Sequence, residues 1–128
     1  MSSILLCDDE VMLCRVLTAA LTKAGHTVRH VRYGQDAIAA AAAQRFELAL
    51  IDLGLPDIHG LAVLQAVRAL PDPPDCLLIT GLLSAKSALA ALDLGACDIL
   101  NKPFSLGELR SKVAQVLSRR AEAEQGGS

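Results

Sequence analysis

Short apolar runs alternate along the chain with longer segments in which apolar residues recur every three or four positions. A run with no polar member, such as Leu48–Ile51, predicts a strand that is covered on both faces. Recurrence at three and four positions predicts a helix with one buried side. The predicted strands are 4–7, 27–31, 48–51, 76–80 and 97–100, and the predicted helices are 11–24, 36–45, 61–70, 84–94 and a last one that follows Ser105.

The order of these segments, a strand followed by a helix five times over, indicates the fold class. Such an alternation predicts an α/β fold in which a parallel sheet lies between two layers of helices. In the second strand Val28 and Val31 alternate with Arg29 and His30, which places this strand at a sheet edge. With right-handed crossovers, the arrangement that fits is a flavodoxin-like (βα)5 doubly wound sheet with strand order 2-1-3-4-5.

The length of 128 residues is typical of one domain. We expect this domain to span residues 1–121, and we expect the small and polar segment 122–128 to be a frayed tail or the start of a linker. Hydrophobic residues make up 52% of the chain and aromatic residues only 2%, so the core is expected to be aliphatic.

The composition also argues against several classes of function. A net charge of −2 argues against direct nucleic-acid binding by this domain. No apolar run approaches the roughly 20 residues of a membrane span, and the amino terminus lacks the pattern of a secretory signal. The four cysteines have no CxxC spacing, and the three histidines, His30 among them, share no site. We therefore expect a cytoplasmic protein whose cysteines are small buried residues.

Polar side chains follow four of the predicted strands, at the point where each strand ends. Asp8 and Asp9 follow the first strand, and Asp52 follows the third. Thr80 ends the fourth strand, and Lys102 lies just beyond the fifth. In the order 2-1-3-4-5 these strands are consecutive neighbours, so the side chains converge at one edge of the sheet, where open α/β sheets bind ligands.

This set of side chains indicates phosphoryl chemistry. Carboxylates gathered in one small pocket repel each other, and a bound cation relieves that repulsion. Ligands that offer only oxygen select a hard ion, Mg²⁺ ahead of Ca²⁺ for a small site that keeps waters. A lysine supplies positive charge to an incoming anion. An anionic nucleophile, a metal and a neighbouring cation are what the transfer of a phosphoryl group to a carboxylate requires.

At these residues the chain resembles the receiver domain of two-component response regulators, along nearly its whole length. The family has an acidic pair, a phosphoacceptor aspartate with a downstream proline and glycine, a hydroxyl residue followed by a small one, and a closing Lys-Pro segment. Each piece alone is a weak signal, whereas all of them in order at strand ends form a strong one. The matching residues are Asp8-Asp9, Asp52 with Leu55-Pro56 and Gly60, Thr80-Gly81, and 95–104 with Lys102-Pro103.

The resemblance implies a phosphoacceptor and a metal site. Asp52 would accept a phosphoryl group from a phosphohistidine on a sensor histidine kinase or a phosphotransfer protein. Mg²⁺ would be held by Asp8, Asp9, Asp52 and the backbone carbonyl of Gly54. The domain would assist its own phosphorylation and would not turn over a separate substrate.

The resemblance also implies how the signal would be read. Lys102 would pair with Asp52 and then with its phosphate, and Thr80 would move toward the phosphate. The Lys102–Pro103 bond would be cis, a geometry whose free-energy cost is small only before proline. The surface formed by helix 4, strand 5 and helix 5 would contact a downstream effector or a second copy of the chain.

The chain departs from the family pattern in two respects. The family commonly has an aromatic residue three positions before the lysine, and this chain has Ile99, whose branched Cβ restricts its rotamers. We therefore expect phosphorylation to shift the helix 4–strand 5–helix 5 surface less than usual. Gly54 and Leu82 flank the expected path of the water that would remove the phosphoryl group from Asp52. Neither residue can position that water, so we expect slow loss of phosphate.

Two alternatives stay open from the sequence. The first is a receiver-like interaction scaffold that never carries phosphate, although such proteins usually lose at least one of the site residues. The second is a phosphotransferase or phosphatase with an aspartyl-phosphate intermediate. Enzymes of that kind usually need a second aspartate two positions after the nucleophile, and the residue two positions after Asp8 is Glu10.

Overall fold

The computed structural model describes residues 2–81 and 84–126. Within these two ranges, five strands alternate with five helices, as the apolar pattern predicts. The elements are β1 (Ser3–Cys7), α1 (Val11–Lys23), β2 (Thr27–Val31), α2 (Gly34–Ala43), β3 (Leu48–Ile51), α3 (Gly60–Arg68), β4 (Asp75–Thr80), α4 (Ala85–Asp93), β5 (Asp98–Asn101) and α5 (Leu106–Gly126).

The strands form one parallel sheet in the order β2-β1-β3-β4-β5, which confirms the predicted flavodoxin-like α/β fold. The pairing brings the carboxyl ends of the strands to one edge. Cys7 of β1 is in register with Ile51 of β3, and Thr80 of β4 is in register with Asn101 of β5. The residues that follow β1 and β3 therefore begin at the same height, and β5 ends further along at the same edge, because Ile51 is level with Leu78 and Leu78 with Ile99.

Two apolar clusters cover the two faces of the sheet. Leu50 packs in a cluster with Leu17 of α1 and Leu109 of α5, whereas its neighbour Ile51 packs in a cluster with Val63 of α3. Every residue of β3 has 0% exposed surface. Because successive side chains of a strand point to opposite faces, an unbroken apolar run is what a strand between two helical layers needs.

The predicted and observed bounds of α2 differ. We predicted a helix over 36–45, and α2 begins at Gly34 and ends at Ala43. Its first amides are satisfied by a distant side chain, since the Asp57 carboxylate accepts hydrogen bonds from the backbone N–H groups of Gly34 at 2.8 Å and of Gln35 at 3.0 Å. Such a cap allows the helix to begin earlier than its own sequence indicates.

Helix α5 begins with the expected capping box. The backbone N–H of Glu108 donates to the Ser105 hydroxyl at 3.0 Å, and the Glu108 carboxylate accepts from the Ser105 N–H at 3.2 Å. The helix then continues to Gly126, through the segment expected to fray after residue 121, and Glu124 pairs there with Arg45 at 3.1 Å. The domain boundary at 121 stays a prediction. Among the described residues, no helix combines the length and apolar character needed to cross a membrane.

Three of the four cysteines are buried as expected, and burial raises the pKa of the Cys7, Cys14 and Cys76 thiols to about 12. The expectation was wrong for Cys97, which is exposed because it lies just before β5 and outside the strand.

Candidate functional site

Asp52 lies directly after β3 and is almost completely buried, with 6% of its surface exposed. Its backbone N–H donates to the carbonyl oxygen of Cys7 at 3.0 Å, which continues the pairing between β3 and β1. Its Oδ1 atom accepts a hydrogen bond from the Gly54 N–H at 3.2 Å. The central strand and the loop that follows it therefore fix the direction of this carboxylate.

Asp8 lies directly after β1 and has no exposed surface. Its backbone N–H donates to the carbonyl oxygen of Val31 at 3.2 Å, so the edge strand β2 holds the chain here. Its Oδ1 atom accepts from the Glu10 N–H at 2.9 Å. This local bond turns the Asp8 side chain toward the same edge of the sheet as Asp52.

Lys102 follows β5 and reaches both carboxylates. Its Nζ atom lies 2.7 Å from Asp8, 2.7 Å from Glu10 and 3.2 Å from Asp52. Its backbone N–H donates to the carbonyl oxygen of Thr80 at 2.8 Å. The Lys102–Pro103 peptide bond is cis, as the resemblance implied.

The three carboxylates form a compact acidic triad, defined by Asp8, Glu10 and Asp52. One oxygen from each lies within 4.8 Å of the others. This donor set contains only carboxylate oxygens, which suits a hard cation such as Mg²⁺. The residues present therefore fit the metal that the sequence predicted.

Burial and ion pairing oppose each other in the triad. Burial raises the pKa of Asp8, although the hydrogen bonds from Lys102 and from the Glu10 N–H act against that rise. For Lys102, burial lowers the pKa, but the hydrogen bonds to Asp8 and Glu10 outweigh it, so the lysine pKa is raised. The ammonium group is thus held in its charged form next to three acids.

A cleft of about 580 Å³ opens above these residues. It is open to solvent and gives an incoming anion access to Asp52. The residues that line it include Asp9, Glu10, Asp52, Gly54, Gly81, Lys102 and Phe104.

The structure brings together most of the predicted site residues. The Lys102 ammonium contacts the carboxylates of both Asp8 and Asp52. The cleft is lined by Asp9 and Gly54, among others. Thr80 is completely buried at the end of β4. The position of Leu82 lies outside the described residues, so the expectation that it flanks a water path stays a prediction.

Sequence reasoning left Glu10 out of the metal set, and the structure places its carboxylate in the triad. The signal was present, since Glu10 directly extends the acidic pair. The Glu10 side chain is exposed and still reaches the Lys102 ammonium, at 2.7 Å.

The family model of the response regulator receiver domain matches residues 4–114, a range that contains the whole acidic triad and Lys102. The chain belongs to this family. As a receiver domain, it is a module of two-component signalling.

Curated relatives support the same assignment. The receiver domain is 32% identical over 124 residues to the response regulator ArlR of Staphylococcus aureus. The match covers 97% of this chain and 56% of that protein, so the chain spans about half the length of the relative.

Two solved structures resemble this receiver domain over most of its length. A CheY-like response regulator receiver domain protein from Methanospirillum hungatei is 25% identical, with a TM-score of 0.90, and the match covers 95% of this chain and 98% of that one. A response regulator protein from Burkholderia pseudomallei, solved with a phosphorylated aspartic acid, a calcium ion and citrate, is 26% identical with a TM-score of 0.81, covering 100% of this chain and 74% of that one.

Proposed function

We propose that Asp52 accepts a phosphoryl group from a phosphohistidine on a sensor histidine kinase or a phosphotransfer protein, in a Mg²⁺-dependent reaction. One observation carries the proposal: the Asp52 carboxylate lies at the end of the central strand, beside the Lys102 ammonium and at the floor of an open cleft. The phosphorylated aspartic acid and calcium ion in the Burkholderia protein support the same chemistry here.

In the proposed reaction, an oxygen of Asp52 attacks the phosphorus atom of the donor. The phosphorus–nitrogen bond of the phosphohistidine breaks, and its electron pair returns to the imidazole. Lys102, 3.2 Å from Asp52, stays charged and stabilises the negative charge on the transferred group. The Gly54 N–H, which donates to Asp52, keeps the carboxylate oriented. A bound Mg²⁺ supplies further positive charge, and Asp8, Asp9, Glu10, Asp52 and the Gly54 carbonyl are the groups proposed to hold it.

The proposed output begins at Thr80 and ends on the surface of α4, β5 and α5. The backbone N–H of Lys102 donates to the carbonyl oxygen of Thr80, so a displacement of one residue is transmitted to the other. On that surface Leu89 is 65% exposed and Leu92 is 50% exposed. Exposed leucines on one helix favour a contact with a downstream effector or a second copy of the chain.

The proposed role is signalling and not catalysis on a separate substrate, since Asp52 is proposed to keep the phosphoryl group that it accepts. A cytoplasmic location follows from partnership with the phosphorylated domain of a kinase. Direct contact with nucleic acid or a membrane is not part of the proposal.

The test is phosphorylation by acetyl phosphate, followed by the intact mass of the protein. We expect the wild type to gain one phosphoryl group with Mg²⁺ present and none after the metal is chelated. Asp52→Asn should gain nothing, whereas Asp57→Asn, a neutralised acid in the same loop, should still gain the group. Phosphoryl uptake by Asp52→Asn equal to that of the wild type would contradict the assignment.

A further inference from the structure

A histidine on the edge strand contacts the backbone of the acidic pair. The Nε2 atom of His30 lies 2.8 Å from the carbonyl oxygen of Asp8. A carbonyl oxygen only accepts, so Nε2 carries the proton and donates to it. His30 is half-buried in β2, in register with Leu6 of β1, and its ring reaches past the end of that strand.

That carbonyl belongs to the peptide unit that joins Asp8 to Asp9. The backbone N–H of Asp8 is already held by β2 through the carbonyl of Val31, at 3.2 Å. With His30 on the other side, the edge strand holds both polar groups of the Asp8 backbone. The thiol of Cys14, a weaker donor, also lies 3.5 Å from this oxygen.

Fixing this peptide plane sets the relative direction of the two acids. The Asp8 side chain, which precedes this peptide unit, contacts Lys102, and Asp9, which follows it, lines the cleft. If the His30 donor is lost, the carbonyl oxygen of Asp8, a residue with no exposed surface, lacks its shorter hydrogen bond. The peptide then gains by rotating toward water, and both acids move with it.

We propose that His30 is a positioning residue that orients Asp8 and Asp9. Through this contact the edge strand β2 determines the affinity of the cleft for a divalent cation. The inference rests on the proposed function in one respect, because the cation is the Mg²⁺ assigned to phosphorylation of Asp52. It assigns a role to a residue that sequence reasoning considered unconnected to any site. Groups that orient metal ligands without touching the metal change affinity on the order of 10-fold or more.

The experiment measures Mg²⁺ affinity by calorimetry on the metal-free protein, alongside the maximal rate of phosphorylation by acetyl phosphate at saturating Mg²⁺. His30→Leu removes the donor to the Asp8 carbonyl, whereas His30→Gln keeps an N–H donor at similar reach. Thr27→Leu is a control at the exposed start of the same strand. We expect His30→Leu to weaken Mg²⁺ binding on the order of 10-fold. His30→Gln and Thr27→Leu should stay close to the wild type, and the maximal rates of all four proteins should agree.

Wild-type affinity in His30→Leu, or equal weakening in His30→Leu and His30→Gln, would overturn the inference. If His30→Leu does not fold, His30→Asn, whose donor is too short to reach, should show the same weakening, and wild-type affinity there would also overturn it. The two ideas fail separately. A wild type that takes up no phosphoryl group contradicts the proposed function, while the calorimetric comparison still decides the role of His30.

Discussion

The Nζ atom of Lys102 lies 2.7 Å from an oxygen of Asp8, a carboxylate whose side chain is completely buried. The same ammonium group also contacts Glu10 and Asp52. Lys102 therefore neutralises part of a negative charge that burial makes costly. We expect a divalent cation drawn to the triad to compete with the lysine for these carboxylates.

Replacing Lys102 with methionine keeps most of the side-chain volume and removes the charge. Without the ammonium group, we expect the metal-free protein to lose roughly 2 kcal/mol of its free energy of unfolding, because a buried carboxylate loses its ion partner. Saturating Mg²⁺ should stabilise Lys102→Met more than it stabilises the wild type, since no lysine has to be displaced. Urea unfolding with chelator and with Mg²⁺ measures both effects.

Lys112→Met is the matched control, since its ammonium also lies 2.7 Å from a carboxylate, that of Asp98. Both partners of that pair keep about a third of their side-chain surface exposed. We therefore expect a loss within about 1 kcal/mol and no change in the response to Mg²⁺. Equal stabilisation of Lys102→Met and the wild type by Mg²⁺ would show that lysine and cation do not compete.

A second prediction concerns the loop that carries Asp52. A Cβ atom at Gly60 would collide with the carbonyl oxygen of Asp52 and would lie 2.5 Å from the Cα of Leu53, so backbone must move. We expect Gly60→Ala to lower the free energy of unfolding by about 2 kcal/mol. It should also slow phosphorylation, since the displaced peptide bears Asp52, the proposed phosphoacceptor. Gly107→Ala is the control, because the nearest atom there is 3.7 Å away, and we expect it to stabilise α5 by up to about 1 kcal/mol. Equal stability of Gly60→Ala and the wild type in urea would contradict the prediction.

Much of this architecture could be predicted from the sequence because local patterns specify it. The unbroken apolar run of β3 requires helices on both faces, and the five-fold alternation requires a parallel sheet. Once the strand order is fixed, Asp8, Asp52 and Lys102 have to converge. Their identification also depended on motifs that match a known family.

The contacts that could not be predicted join residues that are distant in the chain or depend on a rotamer. Asp57 caps a helix that begins 23 residues earlier, and His30 reaches Asp8 across 22 residues. Neither contact leaves a periodic signal in the sequence. Glu10 was adjacent to the acidic pair, but the direction of its side chain is decided by Lys102, which lies 92 residues away.

A third prediction uses the cap that Asp57 provides for α2. The N–H groups of Gln35 and Gly34 hold the pKa of this carboxyl below its ordinary value of 3.8. A lowered pKa in the folded state means that the ionised cap stabilises the fold above that ordinary value, and that the stabilisation is lost as the pH falls through the folded pKa. Asp57→Ala should therefore be less stable than the wild type at pH 7, and the difference should shrink below about pH 4.

Thermal unfolding across this pH range measures the effect. Asp36→Ala is the control, because it removes a carboxylate from the first turn of α2 and leaves in place the capping hydrogen bonds that Asp57 accepts. We expect a smaller loss at pH 7 from Asp36→Ala than from Asp57→Ala. A difference between Asp57→Ala and the wild type that stays constant from pH 7 to pH 3 would rule out the ionised cap.

The last prediction concerns Ile99, where the family commonly has an aromatic residue. Ile99 is half-buried in β5 and packs against the cluster on the α3 side of the sheet. It has no ring to swing between buried and exposed positions, and its branched Cβ disfavours a change of rotamer. After phosphorylation with acetyl phosphate and Mg²⁺, we therefore expect small amide chemical-shift changes along 84–112 and larger ones around Asp52. Ile99→Tyr should increase the changes along 84–112, and Ile99→Val, which keeps the branched Cβ, should not. Large changes spread along 84–112 in the wild type would show that this receiver domain transmits its signal without an aromatic switch.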